Sequence, residues 1–128
     1  MLLSGIYAAE FCSNISRGGT GVAVFTDNTI HGGDHSHFYK GKYSRHDPDL
    51  VEATVQMAQH SGTSGSSVVG LDQFRLKLTG KILEGESTLT LEGLVEGDPS
   101  RKIRIKLRKL DDLVDGWSGC SDRDEMPQ

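Results

Sequence analysis

His31, His35 and His37, with Asp34 between the first two, place three imidazoles and a carboxylate within seven residues. Imidazole is the commonest protein ligand for a metal ion and the usual proton carrier near neutral pH, so chemistry is sought first in this segment. On one continuous strand the three histidines would share a face. Gly32 and Gly33 interrupt that pattern and suggest a turn or bulge between strands. No cysteine or second ligand cluster completes a recognisable site, so solvated loop histidines are expected, with no metal and no cofactor.

Two other segments have the look of chemistry but lack its parts. Gly62-Thr63-Ser64-Gly65-Ser66 is one residue short of a nucleophile elbow, because Ser66 stands where the second glycine must sit. Arg17-Gly18-Gly19-Thr20-Gly21 is glycine-rich but leads into a strand, and a phosphate cradle needs a helix N-terminus behind it. The expectation is therefore a non-enzymatic protein. A fourth feature is electrostatic: Lys102, Arg104, Lys106 and Arg108 form a ladder of like charges on one strand face. Glu92 and Glu96 on the preceding strand neutralise only part of it. With aromatic residues at 6% of the chain, stacking platforms for bases are scarce, and an acidic protein partner is a better use of the remainder than direct nucleic-acid binding.

The elements that must position these groups are strands. Val51, Ala53, Val55 and Met57 alternate with polar residues, as do Phe74, Leu76, Leu78 and Ile82, then Leu89, Leu91 and Val95, then Ile103, Ile105 and Leu107. Shorter segments at 5–13, 20–26, 29–34 and 37–44 carry the β-branched and aromatic residues of strands. Asp27-Asn28, Gly85-Glu86 and Gly97-Asp98-Pro99-Ser100 read as turns between antiparallel neighbours. A flexible loop is expected over 60–67, followed by at most a short helical turn at 68–72. Eight such strands close most economically into a small up-and-down barrel, with a two-sheet sandwich as the competitor.

The chain of 128 residues has a formal charge of -4, which argues against a general nucleic-acid binder. That total hides two regions of opposite sign. Residues 72–109 carry nine Lys and Arg against six Asp and Glu, whereas 110–128 carry one against six. The reading is one domain over 3–114 and an acidic, flexible tail over 115–128. No stretch is apolar for long enough to span a bilayer as a helix. The opening segment reads as a first strand and not as a secretory signal, and Cys12 and Cys120 have no metal spacing, so a cytoplasmic protein with reduced thiols and no membrane association is expected.

Three features taken in order carry a resemblance. Gly5-Ile6-Tyr7 opens the first strand, Gly32-Gly33-Asp34 closes the third, and Phe38-Tyr39-Lys40-Gly41-Lys42-Tyr43-Ser44 follows. This order resembles the negative regulators of type III secretion, the GrlR-like family, and can be followed to about residue 110. The resemblance implies a lipocalin-like eight-stranded barrel, a homodimer, no catalytic activity, and regulation by sequestering a transcriptional activator. Gly5-Ile6-Tyr7 also echoes the opening of lipocalins, where the aromatic ring packs beneath an Arg of the last strand. Arg104 and Arg108 are the candidates here, although the alternation points both outward.

In that family the turn after the Tyr-containing strand holds four acidic residues linked to activator binding. This chain has Arg45, His46, Asp47, Pro48 and Asp49 there, with two acids retained. Those five are the candidate partner-binding residues. The alternative function is a small hydrophobic-ligand carrier, its cavity lined by Tyr7, Phe11, Val55, Met57, Phe74, Leu76, Leu91 and Ile105. The outer face of strand two, with apolar residues on both sides, hints at cover by another subunit.

Overall fold

The computed structural model describes residues 3–15, 17–46, 48–60, 71, 73–83, 85 and 87–114. Asp47, the expected loop and helical turn apart from His60 and Leu71, and the 115–128 tail lie outside the described residues. Segments with an apolar residue at every second position become eight strands: β1 (Gly5–Ser13), β2 (Arg17–Thr26), β3 (Thr29–Gly33), β4 (His37–His46), β5 (Leu50–Gln59), β6 (Gln73–Lys81), β7 (Thr88–Val95) and β8 (Asp98–Asp111). Each pairs antiparallel with its chain neighbours, and β8 returns to β1 from Ile6↔Asp111 to Ser13↔Ile103, closing the barrel. Closure removes both sheet edges, and a two-sheet sandwich does not describe the pairing. The fold is all-β, and no helix among the described residues is long and apolar enough to cross a membrane.

Period-two alternation turns one side of each strand inward. Tyr7, Ala9 and Phe11 on β1, Val51 to Met57 on β5, and Ile103 to Leu107 on β8 share one core with Leu76 and Leu91. Each fully buried side chain of this kind contributes about 2 kcal/mol of transfer free energy. Strand β2 has apolar residues in both phases, so its orientation is settled by the core: Ala23 and Phe25 go inside, while Val22 stays 45% exposed. Two aromatic layers cross the interior. Tyr7 and Tyr43 flank Phe25 at ring-centroid distances of 4.9 and 5.1 Å, and Phe11 meets Tyr39 edge-on at 5.4 Å.

Glycine in the inward phase lets the sheet bend tightly enough to close. A Cβ on Gly93 would lie 1.7 Å from the Lys77 carbonyl oxygen of the adjacent strand, a contact no side chain permits. Asp27 and Asn28 make the β2–β3 reversal with φ of 49° and 68°, the left-handed pair that a two-residue hairpin requires.

The expected turn at 97–100 is shifted. The chain reverses at Glu96-Gly97, Asp98 already pairs with Val95, and pairing resumes at Leu94↔Lys102. Pro99, Ser100 and Arg101 therefore form a bulge, where a residue without an N–H is tolerated. Asn14 stabilises the bulge by donating from Nδ2 to the Ser100 carbonyl at 2.8 Å and accepting from the Lys102 N–H at 3.0 Å. Hydrogen bonds from the Ser100 hydroxyl and Arg101 guanidinium hold the Asp98 carboxyl below the usual carboxylate range.

Candidate functional site

The hairpin between β4 and β5 sits at the end of the barrel that also carries Leu3 and the β2–β3 turn. Pairing runs to His46↔Leu50, and the reversal is anchored where the Ile82 N–H donates to the Asp49 carbonyl at 2.8 Å. Arg45, His46 and Pro48 are exposed and Asp49 is half-buried. His46 Nε2 lies 2.9 Å from a Glu52 carboxylate oxygen and 3.1 Å from the Ser44 hydroxyl. The hairpin thus offers a guanidinium, an imidazole already turned toward Glu52, and a rigid proline corner. That chemistry suits recognition of a polar surface.

The histidine segment at the opposite end divides into three environments. His31 is outward on β3, His35 is exposed in the β3–β4 turn, and His37 is inward on β4 and only 1% exposed. The shared face expected of a continuous strand does not form, because the chain reverses between His31 and His37. Among the described residues no three metal-ligating side chains converge.

What forms instead is a hydrogen-bonded cap. One Asp34 oxygen accepts from the Ser36 N–H at 2.9 Å and the His37 N–H at 2.8 Å, and the other accepts from the Tyr39 hydroxyl. Ser36 Oγ lies 2.8 Å from His37 Nδ1, and the Asp34 carbonyl accepts from His60 Nε2 at 2.9 Å. Burial pushes Asp34 upward, but the hydrogen bonds from Tyr39, Ser36 and His37 outweigh it and hold the carboxyl below its usual range. Tyr39 is pushed well up, first by burial and then by its bond to the Asp34 carboxylate.

Ser, His and Asp are all present, yet their order differs from that of a hydrolytic triad. There the carboxylate orients the imidazole and the hydroxyl is open to substrate. Here the carboxylate binds main-chain N–H groups and a tyrosine, and Ser36 is buried. The signal for this cap in the sequence is Asp followed two residues later by Ser, the pattern of an Asx turn. Attention to imidazole chemistry passes over it.

The eight residues assigned to a ligand cavity are all buried, but they fill the space. The residual interior cavity is about 30 Å³, and Phe11, Val55, Met57, Leu91 and Ile105 are among its walls. Tyr7, Phe74 and Leu76 lie in the core without lining it. A pocket for a small organic ligand occupies some 300 Å³ or more, so the carrier alternative finds no room in this interior. Tyr7 is also not covered by an arginine: its hydroxyl donates to the Leu3 carbonyl at 2.9 Å, and Arg104 and Arg108 are exposed outside the barrel.

The basic ladder does stand outward on β8. Arg104 pairs with Glu92 at 2.5 Å, whereas Glu96 turns to Arg75 at 3.7 Å and Lys77 at 4.0 Å. Lys102, Lys106 and Arg108 make no ion pair among the described residues.

No family model matches the sequence and no curated protein matches it. Among solved structures the chain is similar to a redesigned β-barrel, with a TM-score of 0.62 at 15% identity, over 85% of this chain and 92% of that one. The likeness is one of fold. It carries no function across.

Proposed function

We propose that this protein is a non-enzymatic regulatory binding protein that sequesters a transcriptional activator, in the manner of the negative regulators of type III secretion that its strand-opening motifs resemble. The observation that carries the reading is a filled barrel interior beside a hairpin that exposes Arg45, His46 and Pro48: binding is then a matter for the surface. The resemblance supplies the kind of partner and a homodimer, and the opening segment and two cysteines supply the cytoplasmic setting.

Affinity capture from extracts of the source cells, comparing the wild type with an Arg45→Ala, His46→Ala, Asp49→Ala variant, tests the reading. A transcriptional activator retained by the wild type and lost by the variant is the expected result. Identical captured proteins from both would remove the hairpin as the site, and the absence of any activator would remove the function. Native mass spectrometry of the same preparation reads the expected dimer.

A further inference from the structure

The outer face from β8 across to β4 carries a combination that neither the hairpin nor the interior uses. In the closed sheet Arg108 pairs with Ala8, Ala8 with Val22, Val22 with Gly33, and Gly33 with Phe38. Four strand spacings of about 4.8 Å make this row about 19 Å long. Its basic end is Arg108, with Lys106 on the next outward position of β8, and neither makes an ion pair among the described residues. Its apolar end is Val22, 45% exposed, and Phe38, 41% exposed, separated by a glycine that puts no side chain between them.

Scattered apolar residues on a surface mean little. Here they share one register row with Arg108, flanked by Lys106, and that arrangement has a complement: carboxylates at one end and apolar side chains at the other. We propose that this face binds an acidic segment of a partner protein, its carboxylates meeting Arg108 and Lys106 and its apolar side chains lying against Val22 and Phe38.

The two ends together select this occupant over two others. A second copy docked through the same face would set Arg108 and Lys106 either against their own copies, which like charge disfavours, or, with the two-fold axis at mid-row, against Val22 and Phe38, where they meet no counter-charge. A nucleic-acid strand would gain from the cations but would leave the apolar end without use. The site lies on another part of the barrel surface from the 45–49 hairpin, so it stands or falls separately from the function proposed above.

Fluorescence anisotropy on the full chain tests it. The probes are a labelled twelve-residue peptide alternating Asp and Glu with Leu and Phe, the same peptide with Asn and Gln for the acids, and a twelve-nucleotide single strand of DNA. The acidic peptide is expected to bind about tenfold tighter than the amide peptide, with the difference shrinking as salt is raised. Lys106→Glu with Arg108→Glu is expected to weaken it about tenfold and Val22→Thr with Phe38→Ser about fivefold, while the hairpin variant binds like the wild type. Equal affinity for the two peptides, or tighter binding of DNA, overturns the proposal. So does peptide binding that appears only when Asp122, Asp124 and Glu125 become amides, which would give the face to the chain's own acids. A dimer in sedimentation that Val22→Thr with Phe38→Ser converts to monomer would give it to a second copy. Far-UV circular dichroism confirms that each variant keeps the fold.

Discussion

Each end of the barrel holds a buried tyrosine, and the two satisfy their hydroxyls by different means. At the end near the 45–49 hairpin, Tyr7 donates to the Leu3 main-chain carbonyl, and burial, with Tyr43 nearby, pushes its hydroxyl up to about 12. At the other end Tyr39 donates to the Asp34 carboxylate, which also gathers two main-chain N–H groups. A neutral acceptor ties down one chain terminus, while a charged one organises a whole turn. At the first end His46 and Arg45 stand on the surface; at the second, Asp34 turns to its own turn while His35 stays on the surface.

Asp34→Ala breaks the comparison most severely. It strips the acceptor from two N–H groups and a buried hydroxyl, and a loss of about 3 kcal/mol is expected in urea denaturation, from hydrogen bonds to a charged group at roughly 1.5–3 kcal/mol each with partial compensation by water. Next comes Tyr39→Phe, at about 2 kcal/mol, against about 1 kcal/mol for Tyr7→Phe, whose partner is a neutral carbonyl. Equal losses in the two would show that the charge on Asp34 adds nothing.

The pH dependence sharpens the same contrast. Because the folded-state Asp34 carboxyl is lowered, its contribution is present above the ordinary carboxylate value near 4 and is lost as the pH falls through the lowered value. The stability gap between the wild type and Asp34→Asn should therefore narrow in acid. Both tyrosines are raised, so their contribution holds below about pH 10 and is lost as the pH climbs beyond it. Ultraviolet titration to about pH 11 should leave Tyr7 and Tyr39 unionised for as long as the protein stays folded. The smallest effect belongs to the hairpin: Glu52→Gln removes a pair whose side chains are 50% and 53% exposed, and less than about 1 kcal/mol is expected.

The strands were legible because alternation is local. Val51 to Met57 and Ile103 to Leu107 can bury one face only if every second residue points inward, and no other part of the chain is needed to see it. Strand β2 was ambiguous for the same reason, since Val22 and Val24 satisfy the pattern as well as Ala23 and Phe25. The segment 97–100 reads as a turn because Asp98, Pro99 and Ser100 have turn chemistry, yet they serve a bulge, held by Asn14, which follows β1 on the far side of the β8 pairing.

The candidate sites divide along the same line. Arg45 to Asp49 could be placed on a hairpin from its own residues. The cavity could not be judged, because whether Tyr7, Phe11, Phe74 and Leu76 enclose space or fill it depends on how eight strands meet across the axis. The histidines were grouped by spacing, and one reversal of the chain sent them to three environments.

By itself, then, the sequence determined eight antiparallel strands, the inward residues of the strands that alternate, and a charged hairpin, all consequences of interactions within a few residues. The tertiary structure alone decided that β8 closes onto β1, that the described side chains leave an interior cavity of about 30 Å³, and that Arg108 falls in one row with Val22 and Phe38. Those facts depend on register between distant strands. Side-chain volume and charge acquire their neighbours only once the barrel is closed.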